Sequence, residues 1–191
     1  MKRKGSEVLT RDEIVSEVRS RVKTNNLYKH ILAVEAVMRR LARYFGEDEE
    51  RWGAAGLLHD IDYEETKNDP DMHSIQSGEI AAELGFDSEI VEAVKAHNEI
   101  HDLPRSSKMA KALYSADPLT GLIVASALIS PEKKLSAIDT DFVLNRMGEK
   151  SFARGANREA IKACSELGLT VREFVSLGLE AMKSISDDLG L

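Results

Sequence analysis

The residues of this sequence that could carry chemistry are its histidines and a small set of aspartates. All five histidines fall between positions 30 and 101 of a 191-residue chain. The pair His59-Asp60 follows the apolar segment 52–58 and precedes an acidic one, and Asp117 stands inside a second apolar stretch. Imidazole binds zinc, iron, manganese or nickel, while a carboxylate adds negative charge and can bridge two ions. A buried, unpaired carboxylate is unfavourable and a cation removes that penalty, so these residues indicate a metal site.

Each candidate position also has a structural explanation when it is taken alone. His30, on an apolar helix face, could be a hydrogen-bonded core histidine, and His73 could simply lie in the first turn of a helix. Asp117 followed by Pro118 has the form of an N-cap and the first residue of a new helix. Only the set as a whole favours a metal site over these alternatives.

The elements that would position these residues are predicted to be helices. Four prolines and 5% aromatic residues argue against a β-sandwich or barrel. Thr10 and Glu13 form a capping box for a first helix, Asn25 and Asn26 are predicted to cap a second, and Gly46 ends it. Periodicity and caps predict helices at about 10–23, 26–45, 49–59, 73–84, 87–98, 106–129 with a break at 117–118, 139–147, 157–167 and 170–189, with a loop at 61–72.

Composition and charge limit the class of protein. An apolar fraction of 42% and a charged fraction of 31% are typical of a globular chain long enough for one buried core. The net charge of −7 argues against a duplex nucleic-acid partner, which requires a basic face. The single cysteine, Cys164, excludes an internal disulfide and suits a reducing compartment, and no apolar run has the length of a signal peptide or a membrane span. We expect a compact, all-α, single-domain cytoplasmic protein without a membrane partner, with homo-oligomerisation left open.

The order of the candidate residues resembles a known family. His30, then His59-Asp60, then Asp117 is similar to the signature of the HD-domain superfamily of metal-dependent phosphohydrolases. The segments 57–64 (LLHDIDYE) and 150–155 (KSFARG) resemble small bacterial and archaeal predicted HD hydrolases, and the likeness extends from about residue 25 to the C-terminus. The resemblance implies one HD-type helical bundle over 1–191, with a metal-binding core at about 25–130 and helices at 139–189 packing on it. In one departure, Asp62 replaces the glycine of the common His-Asp-Ile-Gly form.

The resemblance also implies a ligand set. One metal ion would be held by His30, His59, Asp60 and Asp117, and a second by Asp60 together with two further histidines, His73 and His97. The cofactor would be one or two divalent transition-metal ions, with iron or manganese favoured because imidazole-rich sites suit them, and with nickel, zinc or magnesium as alternatives.

The implied reaction is hydrolysis of a phosphate mono- or diester in a nucleotide or another small phosphorylated metabolite. Asp60 would act at the metal, and Glu64 and Lys67 are candidate general acids just beyond it. Candidate substrate-binding residues are cationic side chains in the C-terminal third, namely Lys150, Arg154 and Arg158.

Two other functions remain open at this point. HD-type sites with the full ligand set also occur in di-iron oxygenases, which activate O₂ instead of water. The site could also belong to a non-catalytic regulatory module in which the metal stabilises the fold. Oxygen consumption would favour the first, and melting of the domain after Asp60→Asn would favour the second.

Overall fold

A computed structural model describes residues 9–191, which form helices and, within that range, no β-strand. The predicted all-α class is therefore confirmed. The basic residues 1–8, in which we expect no signal peptide, lie outside the described residues. The α-helices are α1 (Arg11–Arg21), α2 (Asn25–Phe45), α3 (Glu49–Leu58), α4 (Tyr63–Thr66), α5 (Ile75–Glu83), α6 (Ser88–Ala96), α7 (Lys108–Ile129), α8 (Thr140–Gly148), α9 (Arg158–Lys162), α10 (Val171–Ser184) and α11 (Ser186–Leu189). Short 3₁₀ turns occur at Glu99–His101, Leu135–Ala137 and Ala163–Leu167.

Helices α2 and α3 form the most extensively packed pair. Gly46 adopts a left-handed conformation (φ 69°) that ends α2, and Asp48 then caps α3 through the amides of residues 50 and 51. The two helices approach so closely that a Cβ on Gly56 would lie 2.8 Å from the Cα of Glu35. This close contact brings His30 on α2 and His59 at the end of α3 to the same side of the bundle.

Helix α7 crosses the core without interruption, which corrects the predicted break at 117–118. Ser107 caps the helix, and Pro118 lies inside it. The N-cap explanation for Asp117 is therefore wrong, because this residue occupies the interior of a continuous helix. By length and composition α7 could cross a membrane (mean hydropathy 1.5), but 56% of that apolar window is buried against the other helices.

The start of α2 and the segment after His59-Asp60 differ from the sequence prediction in detail. The N-cap of α2 is Thr24, not Asn25 or Asn26, and no side chain of its own caps the helix. The amides of Lys23 and Thr24 instead donate to Glu64 on α4, a short helix inside the predicted loop. A carboxylate distant in sequence therefore binds the amides at and just before the N-cap of α2, not those of its first turn that an asparagine cap would bind.

The C-terminal helices follow their predicted caps. Asp139, Asn157 and Thr170 each accept a backbone amide at the start of α8, α9 and α10 respectively. The third predicted helix of this region is divided, because α10 ends at Ser184 and α11 is a separate turn. Helix α10 packs on α2, α7 and α8, and its buried side chains join the same hydrophobic core.

Candidate metal centre

The six predicted metal ligands converge on one place although they come from five separate parts of the fold. His30 Nε2 lies 3.2 Å from His59 Nε2 and 3.0 Å from Asp117 Oδ1. Nε2 atoms of both histidines also face Asp60 Oδ2, at 3.6 and 3.4 Å. Ligand atoms held about 2.1 Å from one ion lie about 3.0 Å apart in octahedral and about 3.4 Å apart in tetrahedral geometry. The observed spacings therefore suit a shared ion.

The two oxygens of Asp60 face different sets of histidines. Oδ2 faces His30 and His59, whereas Oδ1 lies 3.5 Å from His73 Nε2 and 3.4 Å from His97 Nε2. Groups whose donor atoms lie within 4.8 Å of one another include His30–His59–Asp60 and Asp60–His73–His97, which divides the set as expected for two ions bridged by Asp60. A third such group, His59–His97–Asp117, interleaves with them, so the donors form one continuous cluster.

Each of the four histidine rings has its Nε2 atom in the cluster and is oriented by a hydrogen-bond partner at Nδ1. His59 Nδ1 and His97 Nδ1 each lie 2.7 Å from a backbone carbonyl three residues earlier, at Gly56 and Val94. Carbonyl oxygens can only accept, so both rings carry a proton on Nδ1 and direct Nε2 into the cluster, where the neutral ring offers its lone pair to an ion. Such anchoring of the distal nitrogen is typical of metal-binding imidazoles.

The orientation of His30 depends on Thr120, one turn after Asp117 on α7. The Thr120 hydroxyl donates to the Asp117 carbonyl at 2.8 Å, and its oxygen can then accept the proton of His30 Nδ1 at 3.1 Å. His73 Nδ1 lies 2.9 Å from the carboxylate of Asp62. Sequence reasoning did not assign a role to Thr120, although its position one helical turn from Asp117 was a usable signal.

The donor set fits a divalent cation. When both rings are neutral with their protons on Nδ1, the facing Nε2 atoms of His30 and His59, 3.2 Å apart, are both acceptors and cannot bond to each other, but both can bind one ion. Imidazole nitrogens and carboxylate oxygens together are a typical environment for divalent transition metals. The residues present therefore fit the divalent ion that the sequence predicts.

The electrostatics of the cluster also favour cations. Burial opposes charge on both carboxylates, but His59, His97 and His30 hold the pKa of Asp60 well below its usual range, and His30 lowers that of Asp117. Burial likewise opposes charge on His97, yet the hydrogen bond and charge of Asp60 and the charge of Asp117 raise its pKa to about 9. The carboxylates thus remain ionised in a buried site that attracts positive charge.

A cavity of about 200 Å³ opens from this cluster. It is lined by His73, His97 and Asp117 and by polar side chains that sequence reasoning did not assign to the site: Glu99, Tyr114 and Asn157. Glu99 accepts hydrogen bonds from the Tyr114 hydroxyl (3.1 Å) and the Asn157 amide (3.0 Å). These contacts connect the α6–α7 loop, α7 and α9 above the candidate site.

A second, larger cavity of about 470 Å³ adjoins the first. The two cavities share Gly155 and Asn157 in their walls, and the larger one is lined by Lys150, Arg154 and Arg158. The three cations predicted to bind substrate are therefore brought to one concave surface next to the metal cluster. Lys150 and Arg154 are exposed in this cavity.

Two of the predicted functional side chains have other roles. The Arg158 guanidinium donates to the carbonyls of Phe152, Ala153 and Ala156, so it holds the loop after α8 instead of presenting free donors to an anion. Glu64 accepts the amides at the start of α2, and hydrogen bonds from Thr24 and Lys23 lower its pKa. A carboxylate committed to its ionised form is unsuited to act as a general acid, so we reassign Glu64 as a helix cap.

Lys67 follows directly after α4 and is exposed. Among the contacts of residues 9–191, none joins Lys67 to the cluster, and its charge acts on Glu64. The sequence prediction that it donates a proton to substrate therefore gains no support from its position.

The family model of the HD domain matches residues 27–127, a range that contains all six converging side chains. The chain therefore belongs to the HD-domain family. This family is part of a superfamily of metal-dependent phosphohydrolases. The architecture and the His/Asp set that could hold a divalent ion are those expected for this class.

Curated relatives are proteins named Ribonuclease Y. The chain is 32% identical over 98 residues to the one from Oleidesulfovibrio alaskensis, covering 51% of this chain and 18% of that protein. It is 28% identical over 148 residues to that of Pelobacter propionicus (78% and 27%), and 27% identical over 173 residues to that of Geobacter metallireducens (87% and 32%). The matched regions thus cover between 18% and 32% of the length of these relatives.

Proposed function

We propose that this protein is a divalent-metal-dependent phosphohydrolase that cleaves a phosphoester in a small phosphorylated substrate, with nucleotides as the first candidates. The observation that carries the proposal is the convergence of four imidazole Nε2 atoms and two carboxylates at spacings of 3.0–3.6 Å. When bound, divalent ions at such a site supply an activated water and stabilise negative charge on a phosphoryl group.

The residues of the cluster form two ligand sets, one for each ion. His30, His59 and Asp117 would hold one ion, with His73 and His97 holding a second, and Asp60 between them. Because Asp60 faces both sets, its removal should disturb both positions at once. Iron or manganese remains the favoured occupant, since the set contains four imidazoles and only two carboxylates.

The joined cavities support a substrate that extends away from the metal cluster. Lys150 and Arg154 line the larger cavity, on the far side of the shared wall residues Gly155 and Asn157. We propose that they bind a second anionic group, such as a phosphate that is not cleaved. The name of the relatives adds a second candidate substrate, an RNA strand whose backbone phosphates would occupy the same surface.

The test is a substrate screen with protein loaded with Mn²⁺ or Fe²⁺. Nucleoside mono-, di- and triphosphates, bis(p-nitrophenyl) phosphate and short single-stranded RNA would be compared for wild type, Asp60→Asn and Arg154→Ala. Lys134→Ala is the matched control, because Lys134 is an exposed cation outside both cavities. We expect metal-dependent turnover that Asp60→Asn abolishes, and a raised KM with largely unchanged kcat for Arg154→Ala.

Three results would overturn the proposal. The first is the absence of metal-dependent turnover of every phosphoester tested, and the second is turnover that survives Asp60→Asn. The third is oxygen consumption by the iron-loaded protein without phosphoester cleavage, which would favour the di-iron oxygenase. An equal effect of Arg154→Ala and Lys134→Ala on KM would remove the role of the larger cavity.

A further inference from the structure

Asp62, the residue that departs from the common family pattern, has an unusual set of contacts. Its side chain is fully buried (0% exposed), and no cation of Lys or Arg pairs with it among the ion pairs of residues 9–191. Its carboxylate oxygen Oδ2 accepts the backbone amides of Ser74 (2.8 Å) and Ser77 (3.0 Å). The other oxygen, Oδ1, lies 2.9 Å from Nδ1 of His73.

These contacts fix His73 both in direction and in tautomer. An ionised carboxylate can only accept, so the His73 proton lies on Nδ1 and the Nε2 lone pair points toward Asp60 Oδ1, 3.5 Å away. The backbone at this point is held as well, because the His73 carbonyl is 2.7 Å from His101 Nε2 and 3.3 Å from the Asn98 amide.

The local backbone shows that the ring is held against a conformational penalty. Ser74 adopts φ 71° with ψ −33°, a positive-φ conformation that is unfavourable for a residue with a side chain. Two hydrogen bonds stabilise it: its amide donates to Asp62, and its hydroxyl donates to the Lys95 carbonyl on α6 at 2.9 Å. The chain is thereby bent between α4 and α5 in the way that directs His73 back to the cluster.

We propose that Asp62 is the positioning residue of the second metal position, and that it determines whether this chain binds two ions or one. The inference rests on the proposed function, since it concerns the same cluster. It assigns to a residue outside the ligand set the task of holding His73 in its metal-binding tautomer. Second partners of this kind affect metal affinity by about 10- to 100-fold.

Asp62→Asn tests the tautomer directly because asparagine has the same shape. If the amide oxygen faces the Ser74 and Ser77 amides, the amide NH₂ faces His73 Nδ1, and the ring must then carry its proton on Nε2. The reverse placement sets an NH₂ donor against two backbone donors and is unfavourable. The favoured placement therefore no longer holds His73 in the tautomer that binds metal through Nε2.

The experiment is titration of the metal-free protein with Mn²⁺ by calorimetry, with bound metal counted by elemental analysis. Wild type, Asp62→Asn, His73→Ala and Ser77→Ala would be compared. Ser77→Ala is the matched control, because Asp62 uses the Ser77 backbone amide, which alanine retains, while only the bond from the Asp62 amide to the Ser77 hydroxyl is lost. We expect two ions for wild type and Ser77→Ala, and a second affinity weakened by about 10- to 100-fold in Asp62→Asn.

The outcomes separate this inference from the proposed function. Two ions with unchanged affinities in Asp62→Asn, or a single ion in wild type, would overturn the role of Asp62 and leave a metal-dependent hydrolase intact. A wild-type protein that binds no Mn²⁺ would overturn both. If Asp62→Asn does not fold, the ¹⁵N shifts of His73 in the metal-free wild type decide: the Nδ1–H tautomer is expected, and the Nε2–H tautomer would contradict the inference.

Discussion

The close approach of α3 to α2 at Gly56 allows helix packing and metal binding to be tested with one substitution. A Cβ at this position would lie 2.8 Å from the Glu35 Cα and 2.9 Å from its amide nitrogen, and ordinary contact begins at 3.4 Å. The obstructing atoms are backbone and have no rotamer to change. In Gly56→Ala the helices must therefore separate by about 0.6 Å.

The expected cost combines two opposing effects. Overpacking of a well-packed core costs about 1–3 kcal/mol, and a rigid backbone neighbour places this site at the upper end. Alanine recovers about 1 kcal/mol through its better helix propensity. The net loss is about 2 kcal/mol, which for a chain of this length corresponds to a decrease of about 4–8 °C in Tm.

The same substitution should weaken metal binding. The Gly56 carbonyl orients His59, and His59 Nε2 lies only 3.2 Å from His30 Nε2 on the opposing helix. Separation of the helices moves these two donors apart, beyond the tolerance of about 0.5 Å of a pre-organised site. Mn²⁺ titration of Gly56→Ala should therefore show a lower affinity at the position shared by these histidines.

The assay is thermal and urea unfolding together with Mn²⁺ titration, with Gly121→Ala as the matched control. Gly121 lies within α7, and an added Cβ there meets nothing within 4 Å, so this variant should gain up to about 1 kcal/mol. The reasoning is refuted if Gly56→Ala unfolds at or above the wild-type temperature with unchanged Mn²⁺ affinity while Gly121→Ala is stabilised.

Three further predictions follow from single contacts. Arg158→Ala should lower the urea-derived stability by about 2 kcal/mol, because three loop carbonyls lose their charged donor, and should leave the number of bound Mn²⁺ ions unchanged; a loss of bound metal would contradict this. Glu64→Ala should lower Tm at pH 7 without changing Mn²⁺ binding; since the folded-state pKa of Glu64 lies below its ordinary 4.5, the difference from wild type should vanish as the pH falls through it. Burial raises the pKa of Cys164 to about 11, so at pH 8 only about one thiol in a thousand is ionised, and native protein should react with a thiol reagent only on unfolding; a rate like that of free cysteine would exclude this environment.

Caps that act within one turn of chain could be predicted from sequence. Thr10 and Glu13 form the expected capping box, and the residues at 139, 157 and 170 begin their helices as expected. Gly46 ends α2 in the left-handed conformation that glycine adopts without penalty. Such signals involve only neighbouring residues, so they do not depend on how the helices pack.

Features that depend on tertiary contacts could not be predicted in this way. Pro118 suggested a helix break, but burial of α7 on both sides of it outweighs the local penalty of one missing amide. The amides of Lys23 and Thr24 at the start of α2 are bound by Glu64, a residue about forty positions away in the chain that no local pattern connects to them. In both cases, contacts between distant parts of the chain decided the local structure, and the local sequence pattern did not.

In the candidate site too, some features could be predicted from sequence and others depend on tertiary contacts. The order of its six donors resembled a family pattern, and the structure brings all six together. The partners that orient the rings were not foreseen, because a carboxylate at Asp62 or a hydroxyl at Thr120 acquires its role only when α4, α5 and α7 are placed beside α2. Sequence order therefore indicated which atoms could bind metal, while the choice of tautomer required the fold.

The anchoring of every ring at Nδ1 has a consequence for how the protein exchanges its ions. Two rings are tied to carbonyls of their own polypeptide segment and two to buried oxygens nearby, so none of these anchors depends on an ion. Little side-chain entropy is then lost when an ion arrives. Chelator treatment should empty the pocket reversibly while helicity persists, and the occupant in a cell would follow the supply of competing metals at least as much as the preference of the donors.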